Sequence, residues 1–335
     1  MRIVYFYNEE WEKEFVSKRL PEETFNFIKG TTTGNEAMYD PEATVLSVFV
    51  NSHVGALELD RFQDVKLIVT RSTGFDHIDL AECKKRDIVV VNVPTYGEHT
   101  VAEFAMALLL ALSRRIYDAY RRIETTGSFS QDGLRGFDLR GRTIGVVGTG
   151  HIGAHMITMA KGFGMNVIAF DVRKNEELEQ RLGFRYVSFE EILAQSDILS
   201  LHAPDNQHTH HMINMENYKL IKPGCYLINT ARGGLVETAA LVAALEAGIL
   251  AGAGLDVLEE EGDLSHEENL LLLEHPNEEK LKTLLANHYL IKHPRVIVTE
   301  HIAFNTQEAV ERILSTTVEN ISAFKTGTPV NIVGV

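Results

Sequence analysis

Residues Thr143-Ile-Gly-Val-Val-Gly-Thr-Gly-His-Ile-Gly153 join a short apolar run to three glycines spaced G-x-G-x-x-G, and Val167-Ile-Ala-Phe-Asp171 follows. No other stretch constrains the fold as tightly. Ile144, Val146 and Val147 suit a strand buried on both faces, and Gly148, Gly150 and Gly153 then turn the chain into a helix. The first glycine permits a tight turn, the second lets backbone approach a pyrophosphate, and the third lets the helix pack closely on the strand. A helix opening at His151 and Ile152 aims its unpaired N–H groups at phosphates. Asp171 ends the next apolar run, where a carboxylate can accept both hydroxyls of an adenosine ribose and repel a 2′-phosphate. Strand, turn, helix and terminal acid in this order predict a Rossmann unit that binds NAD. Arg173 and Lys174, cations directly after the acid, keep NADP open.

The turn begins far enough into the chain to leave room for a whole domain ahead of it. A length of 335 residues fits two domains with substantial cores. A formal charge of −15 argues against nucleic acid or anionic membrane as partner, since both demand a basic surface. An anionic substrate therefore needs local cations. Cys83 and Cys225 form no C-x-x-C pair and fit a reducing, cytoplasmic setting. Met1-Arg-Ile-Val-Tyr-Phe-Tyr-Asn8 reads as a first strand rather than a signal peptide, and no apolar run approaches the ~18 residues of a membrane helix.

Ahead of the glycine turn, apolar runs alternate with helical patterns, which favours a parallel α/β domain. Expected strands are 3–7, 45–50, 67–70 and 88–91; expected helices are 11–20, 57–62 and 78–86. One long helix is expected from about Thr100 to Ile123 as the connection between domains. From Thr143 on, strands are expected at 144–147, 167–170, 198–202, 225–229, 254–257 and 296–299, with a final helix over 306–325. The acidic, leucine-rich segment from Glu259 to His293 breaks this regularity and predicts an extra helix or two.

Polar residues just beyond strand ends carry the chemistry in open α/β sheets. Arg232 follows Leu227-Ile-Asn-Thr-Ala231, Glu261 follows Leu255-Asp-Val257, and His301 follows Val296-Ile-Val-Thr299. Around them, Asn229-Thr-Ala-Arg-Gly-Gly-Leu-Val236, Gly252-Ala-Gly-Leu-Asp-Val257 and His301-Ile-Ala-Phe304 resemble the D-2-hydroxyacid dehydrogenase family, its D-lactate dehydrogenase branch above all. Thr70-Arg-Ser-Thr-Gly-Phe-Asp-His-Ile-Asp79, Asn92-Val-Pro-Thr-Tyr96, Ser200-Leu-His-Ala-Pro204 and Thr209-His-His-Met-Ile213 extend the resemblance over roughly residues 45–325.

The resemblance implies two doubly wound parallel-sheet domains with a cleft between them. A flavodoxin-like substrate domain would span 1–100 and 301–335, and a Rossmann NAD-binding domain 101–300. It implies reversible hydride transfer between NADH and a small 2-keto acid, most simply pyruvate and D-lactate. Arg232 would bind the substrate carboxylate and polarise the carbonyl, a task suited to a planar, permanent cation. His301 would be the general acid or base, with Glu261 hydrogen-bonded to it and raising its pKa. Thr73 and Gly74 would hold the carboxylate through backbone N–H groups, while Tyr96 and Phe304 shape the side-chain pocket. His202, Ala203, Pro204, Thr230 and Ala231 would line the cofactor, and Asp256 would lie near the nicotinamide amide. A homodimer built on the nucleotide domain is expected by the same analogy. An NAD-sensing corepressor-like scaffold and a formate or phosphite dehydrogenase share the fold and stay open as alternatives.

Each assignment has a plain competitor. Arg232 alone would be a surface ion pair, Tyr96 and Phe304 core aromatics, and Glu261 one of three carboxylates with Glu259 and Glu260 in an acidic loop. His208, His210 and His211 suggest a metal, but no carboxylate or cysteine adjoins them at ligand spacing, so a solvated turn and no metal are expected. Two departures stand out: Glu300 precedes His301 where the family usually shows proline, and an insertion lies within 262–293. The extra negative charge of Glu300 either bears on His301 or points outward.

Overall fold

A computed structural model describes residues 1–32, 35, 38–264 and 277–334. The chain divides into two compact units, Met1–Gly97 with Asn305–Val335, and Glu98–Phe304.

The first unit holds a parallel sheet of β1 (Arg2–Tyr7), β2 (Thr24–Lys29), β3 (Val45–Val48), β4 (Leu67–Thr70) and β5 (Val89–Val91), in the order β2-β1-β3-β4-β5. That is the flavodoxin-like doubly wound order. Strands β3 and β4 are buried along their whole length, as their continuous apolar runs require. Strand β2 was not expected. Thr24-Phe-Asn-Phe-Ile-Lys29 has no such run because it lies at the sheet edge with its middle only half-buried. The final helix, Gln307–Lys325, buries Leu314 and Ile321 against Ile3, Tyr5 and Val69.

The second unit contains β6 (Thr143–Val147), β7 (Asn166–Phe170), β8 (Arg185–Tyr186), β9 (Ile198–Leu201), β10 (Cys225–Asn229), β11 (Leu250–Leu255) and β12 (Val296–Val298). Their order is β12-β11-β10-β9-β6-β7-β8, every pair parallel. Val147 pairs with Phe170 on one side and Leu201 on the other, so the order reverses at β6. A ligand crevice belongs beyond the strand ends at such a reversal. Helices cover both faces: Leu199, Leu227, Ala240 and Leu245 fill one core, and Leu109, Ile144, Met156 and Ile157 the other.

The expected long helix is two. Glu98–Ser113 buries Ala102, Ala105, Leu108 and Leu109, whereas Ile116–Thr126 buries nothing. At the junction Arg115 adopts φ +51°, and the Ser113 carbonyl accepts from Phe137 N at 2.9 Å rather than from the next helical turn. That partner is remote in sequence, and no glycine or proline marks the break. Of the leucine-rich segment, Glu278–Lys292 is a helix capped by the Asn277 side chain; Leu270 to Leu273 lie outside the described residues.

Candidate active site

Gly148 takes φ +90°, and a Cβ there would stand 2.6 Å from the His202 carbonyl oxygen. A Cβ on Gly153 would stand 2.0 Å from the Gly148 oxygen, so helix His151–Gly162 packs on the turn with no room for a side chain. Gly150 caps that helix and differs from both: no heavy atom lies within 4 Å of where its Cβ would be. The open space above a helix N-terminus is what a pyrophosphate needs. At the same sheet end, His202 Nδ1 and Thr230 Oγ1 are buried polar atoms without a protein partner. These features fit NAD. His202 Nε2 meets Ser200 Oγ at 2.8 Å, and burial pushes the His202 pKa down to about 4, so this imidazole is neutral in ordinary buffers. Ala203 is buried and Pro204 exposed on the loop that follows.

The loop after β10 is shaped by Asn229, whose Nδ2 donates to the Arg232 oxygen at 2.8 Å and whose Oδ1 accepts Ala231 N at 3.0 Å. It carries Thr230, Ala231 and the half-buried Arg232, whose guanidinium donates to the Ala231 oxygen at 2.8 Å. A Cβ on Gly233 would stand 2.1 Å from the Leu258 backbone, so this loop lies directly against the one after β11.

Asp256 is fully buried. Its Oδ1 accepts Thr299 Oγ1 at 2.6 Å and Ile302 N at 3.0 Å, and its Oδ2 accepts Ala303 N at 2.8 Å. Burial raises its carboxyl above the ordinary range, opposed by those three donors. Asp256 thus knits the loop that presents His301. His301 itself sits at φ +54°, its N–H bound to the Asp256 oxygen at 2.8 Å. Its Nδ1 lies 2.6 Å from Glu261 Oε1, while Glu261 Oε2 accepts Leu258 N at 3.1 Å.

The three adjacent carboxylates separate cleanly. Glu259 accepts Thr238 N at 3.0 Å and Thr238 Oγ1 at 2.6 Å, Glu260 pairs with Lys280 at 3.2 Å, and Glu261 faces His301. Glu260 turns the chain at φ +54°. Asn287, on helix Glu278–Lys292, donates to the Glu259 oxygen at 2.7 Å. The segment read as an insertion therefore braces the turn that presents Glu261. Glu300 is exposed, which fits the outward reading.

Besides Asp205, five residues before His210, the fold brings Glu259 Oε1 to 2.6 Å from His211 Nε2. Burial raises the Glu259 carboxyl, but bonds from Thr238 and His211 outweigh it and hold the group below its ordinary range. The rings of His210 and His211 stack at 4.0 Å and 21°, and a ring nitrogen of each lies within 4.8 Å of the other and of a Glu259 carboxylate oxygen, a grouping able to hold a metal ion that the sequence did not lead us to expect. His210 Nδ1 turns to Asp205 at 3.3 Å.

In the first unit, Thr73 Oγ1 donates to the Val93 oxygen at 2.9 Å, Asn92 Nδ2 donates to the Thr73 oxygen at 2.7 Å, and Ser72 Oγ donates to the Gly74 oxygen at 2.6 Å. The Tyr96 carbonyl accepts from Arg312 Nε. Phe304 belongs to the second unit. Sequence reasoning missed Thr149, Asn229 and Thr299, each beside a recognised residue, and Tyr186, which nothing local marks.

Residues 106–303 match the D-isomer specific 2-hydroxyacid dehydrogenase NAD binding domain. A 2-hydroxyacid dehydrogenase homolog of Zymomonas mobilis is 36% identical over 98% of this chain and 98% of its own. A glyoxylate reductase of Thermococcus litoralis is 35% identical over 96% of each chain. The crystal structure of D-lactate dehydrogenase from Aquifex aeolicus, complexed with NAD and lactic acid, superposes with a TM-score of 0.85 at 36% identity, over 99% of this chain and 98% of that one. Glycine turn, Asp171 and His301–Glu261 pair thus stand in a chain that belongs to the D-isomer specific 2-hydroxyacid dehydrogenases, NAD-dependent oxidoreductases acting on CH–OH groups.

Proposed function

We propose that this enzyme interconverts pyruvate and D-lactate, with Arg232, His301 and Glu261 carrying the chemistry. The supporting observation is the bond between His301 Nδ1 and Glu261 Oε1 at 2.6 Å, beyond the ends of the NAD-binding sheet. An ionised carboxylate only accepts, so Nδ1 carries the hydrogen and Nε2 is left to serve a substrate oxygen. NADH, when bound, supplies a hydride to C2 of the keto acid. Arg232 binds the carboxylate and polarises the carbonyl, and His301 delivers the proton that completes the hydroxyl. Thr73, Gly74, Tyr96 and Phe304 are proposed as substrate contacts on the family resemblance alone.

The relatives differ in the acid they are named for, lactate dehydrogenase in one case and glyoxylate reductase in another. Oxidation of NADH should therefore be followed with glyoxylate, pyruvate and larger aliphatic and aromatic keto acids, and the reverse reaction with D- and L-lactate. Pyruvate and D-lactate are expected to give the highest kcat/KM. A tenfold preference for another acid would remove the lactate assignment, and activity with L-lactate alone would remove the stereochemical one.

We also propose a cytoplasmic homodimer. Cys83 and Cys225 are free and buried, which suits a reducing compartment. Among the described residues no helix is long and apolar enough to cross a membrane. Helix Ile116–Thr126 leaves Ile116, Tyr117, Tyr120 and Ile123 exposed in one stripe, and a face of that kind is ordinarily covered.

A further inference from the structure

Thr149 stands between the first two glycines of the turn, and the glycine pattern gives its side chain no task. Its N–H donates to Asp171 Oδ2 at 2.7 Å, and its hydroxyl reaches the same oxygen at 3.0 Å. On its other side that hydroxyl meets the Tyr186 phenol at 2.8 Å, and the phenol oxygen accepts Asn175 N–H at 3.1 Å. Thr149 is 7% exposed and Tyr186 9%, so little water competes for these bonds.

Chemistry fixes the direction of this chain. An ionised carboxylate has no proton to give, so the Thr149 hydroxyl donates to Asp171. Its single proton spent, it accepts from Tyr186, and Tyr186 accepts from the Asn175 backbone. Every proton points toward Asp171, and each bond polarises the next. Both ends are anchored. The Asn175 side chain caps helix Glu176–Leu182 by accepting Leu178 N at 3.0 Å, and the Tyr186 ring packs edge-on against Phe184 at 5.0 Å. Asp171 Oδ1 accepts Arg173 N at 2.8 Å, and a carboxylate oxygen has capacity for a second donor.

We infer that Thr149 and Tyr186 are positioning residues that hold the Asp171 carboxylate over the glycine turn and thereby set the preference for NAD over its 2′-phosphorylated form. The inference rests on Asp171 being the ribose acceptor. Without the Thr149 hydroxyl the carboxylate keeps its two backbone donors but loses the bond that pins it above the turn, and without the Tyr186 phenol that hydroxyl stays but is no longer held toward Asp171. It is then free to swing aside, and the exposed cations Arg173 and Lys174 are left to receive a 2′-phosphate.

The test compares Tyr186→Phe, which keeps the ring and removes the phenol oxygen, with Thr149→Val and Thr149→Ser, which remove and keep the hydroxyl. Dissociation constants for NADH and NADPH are measured by fluorescence titration, and kcat/KM for both with pyruvate. The NADH preference should fall about tenfold in Tyr186→Phe and Thr149→Val, through weaker NADH binding, and return to within about twofold of the parent in Thr149→Ser. Asp171→Ala, run alongside, should abolish the preference. If Asp171→Ala does so while Tyr186→Phe and Thr149→Val keep the parental ratio, the relay is overturned and the ribose reading stands. A parental ratio in Asp171→Ala overturns both. Equal losses for the two cofactors, or a lower Tm at constant ratio, mark a merely structural role and also overturn the relay.

Discussion

His301 and Glu261, 40 residues apart in the chain, meet through Nδ1 and Oε1 at 2.6 Å. Replacing His301 by Gln keeps a polar side chain but removes the titrating proton, and general acid–base groups contribute about 10²–10⁴ in rate. His301→Gln should lose that much kcat/KM while binding NADH as before in a fluorescence titration. Glu261→Gln still accepts from Nδ1 but as a neutral group. Bonds to charged groups exceed neutral ones by about 1 kcal/mol, so a drop of roughly fivefold to tenfold is expected. Full activity in His301→Gln would remove His301 from the reaction.

Asp256 holds the His301 loop through Thr299 Oγ1, Ile302 N and Ala303 N. Asp256→Ala strips three donors of their acceptor at once, and an orphaned buried donor costs about 1–3 kcal/mol. Since His301 already sits at φ +54°, an unfavourable region for a side chain, the loop should relax away from that geometry. A Tm several degrees lower and a kcat loss larger than the loss of NADH affinity are expected. Thermal unfolding and steady-state kinetics on one preparation check both.

The parts of the site that could be read from the chain alone are those whose chemistry is local. Gly148 and Gly153 must be glycines because backbone crowds them, and that requirement is met within one strand–turn–helix. Arg232 and His301 follow apolar runs, so their strand-end positions could be inferred. Glu261 stands apart from Glu259 and Glu260 in the sequence only through the family resemblance; physically the three are told apart by Thr238, Lys280 and His301, partners brought in by the fold. Strand β2, the break at Arg115 and the role of Tyr186 were missed for the same reason: each is decided by a contact remote in sequence.

The glycines of the turn answer differently to the same added methyl group. Gly153→Ala drives a Cβ to 2.0 Å from the Gly148 oxygen, a backbone atom that cannot yield without moving the turn. Lower Tm and lost NADH affinity should appear together. Gly150→Ala meets no protein atom within 4 Å and fits an N-cap φ of −65°. Its Tm without cofactor should match the parent, while NADH affinity falls by at least about tenfold as the methyl fills the pyrophosphate space. Unchanged affinity in Gly150→Ala would mean that the open space holds no phosphate.

His202 makes stability depend on pH. Its pKa is about 4 in the fold and 6.5 otherwise, because burial disfavours the imidazolium. Between those values the unfolded chain binds a proton that the folded one does not, so the contribution is whole above pH 6.5 and is lost as pH falls toward 4. Unfolding free energies from denaturant titrations across that window should therefore drop less steeply in His202→Gln than in the parent. Parallel slopes would show that the imidazole is solvated in the native state.

Helix Ile116–Thr126 carries Ile116, Tyr117, Tyr120 and Ile123, all at least 46% exposed, while none of its residues is buried. Fully covering a large apolar side chain is worth about 1.5–3 kcal/mol, and a twofold axis through this face would bury each one twice. A stable dimer is expected, and sedimentation over a concentration series should give twice the chain mass. Tyr120→Glu combined with Ile123→Glu leaves the monomer core untouched, since neither side chain packs inward. In a symmetric contact it places four carboxylates where apolar surface met, and unpaired buried charge costs several kcal/mol. The double variant should sediment as a monomer with an unchanged far-ultraviolet spectrum. A variant that stays dimeric would move the subunit contact elsewhere, and a parent that is monomeric at micromolar concentration would leave the stripe without a partner copy.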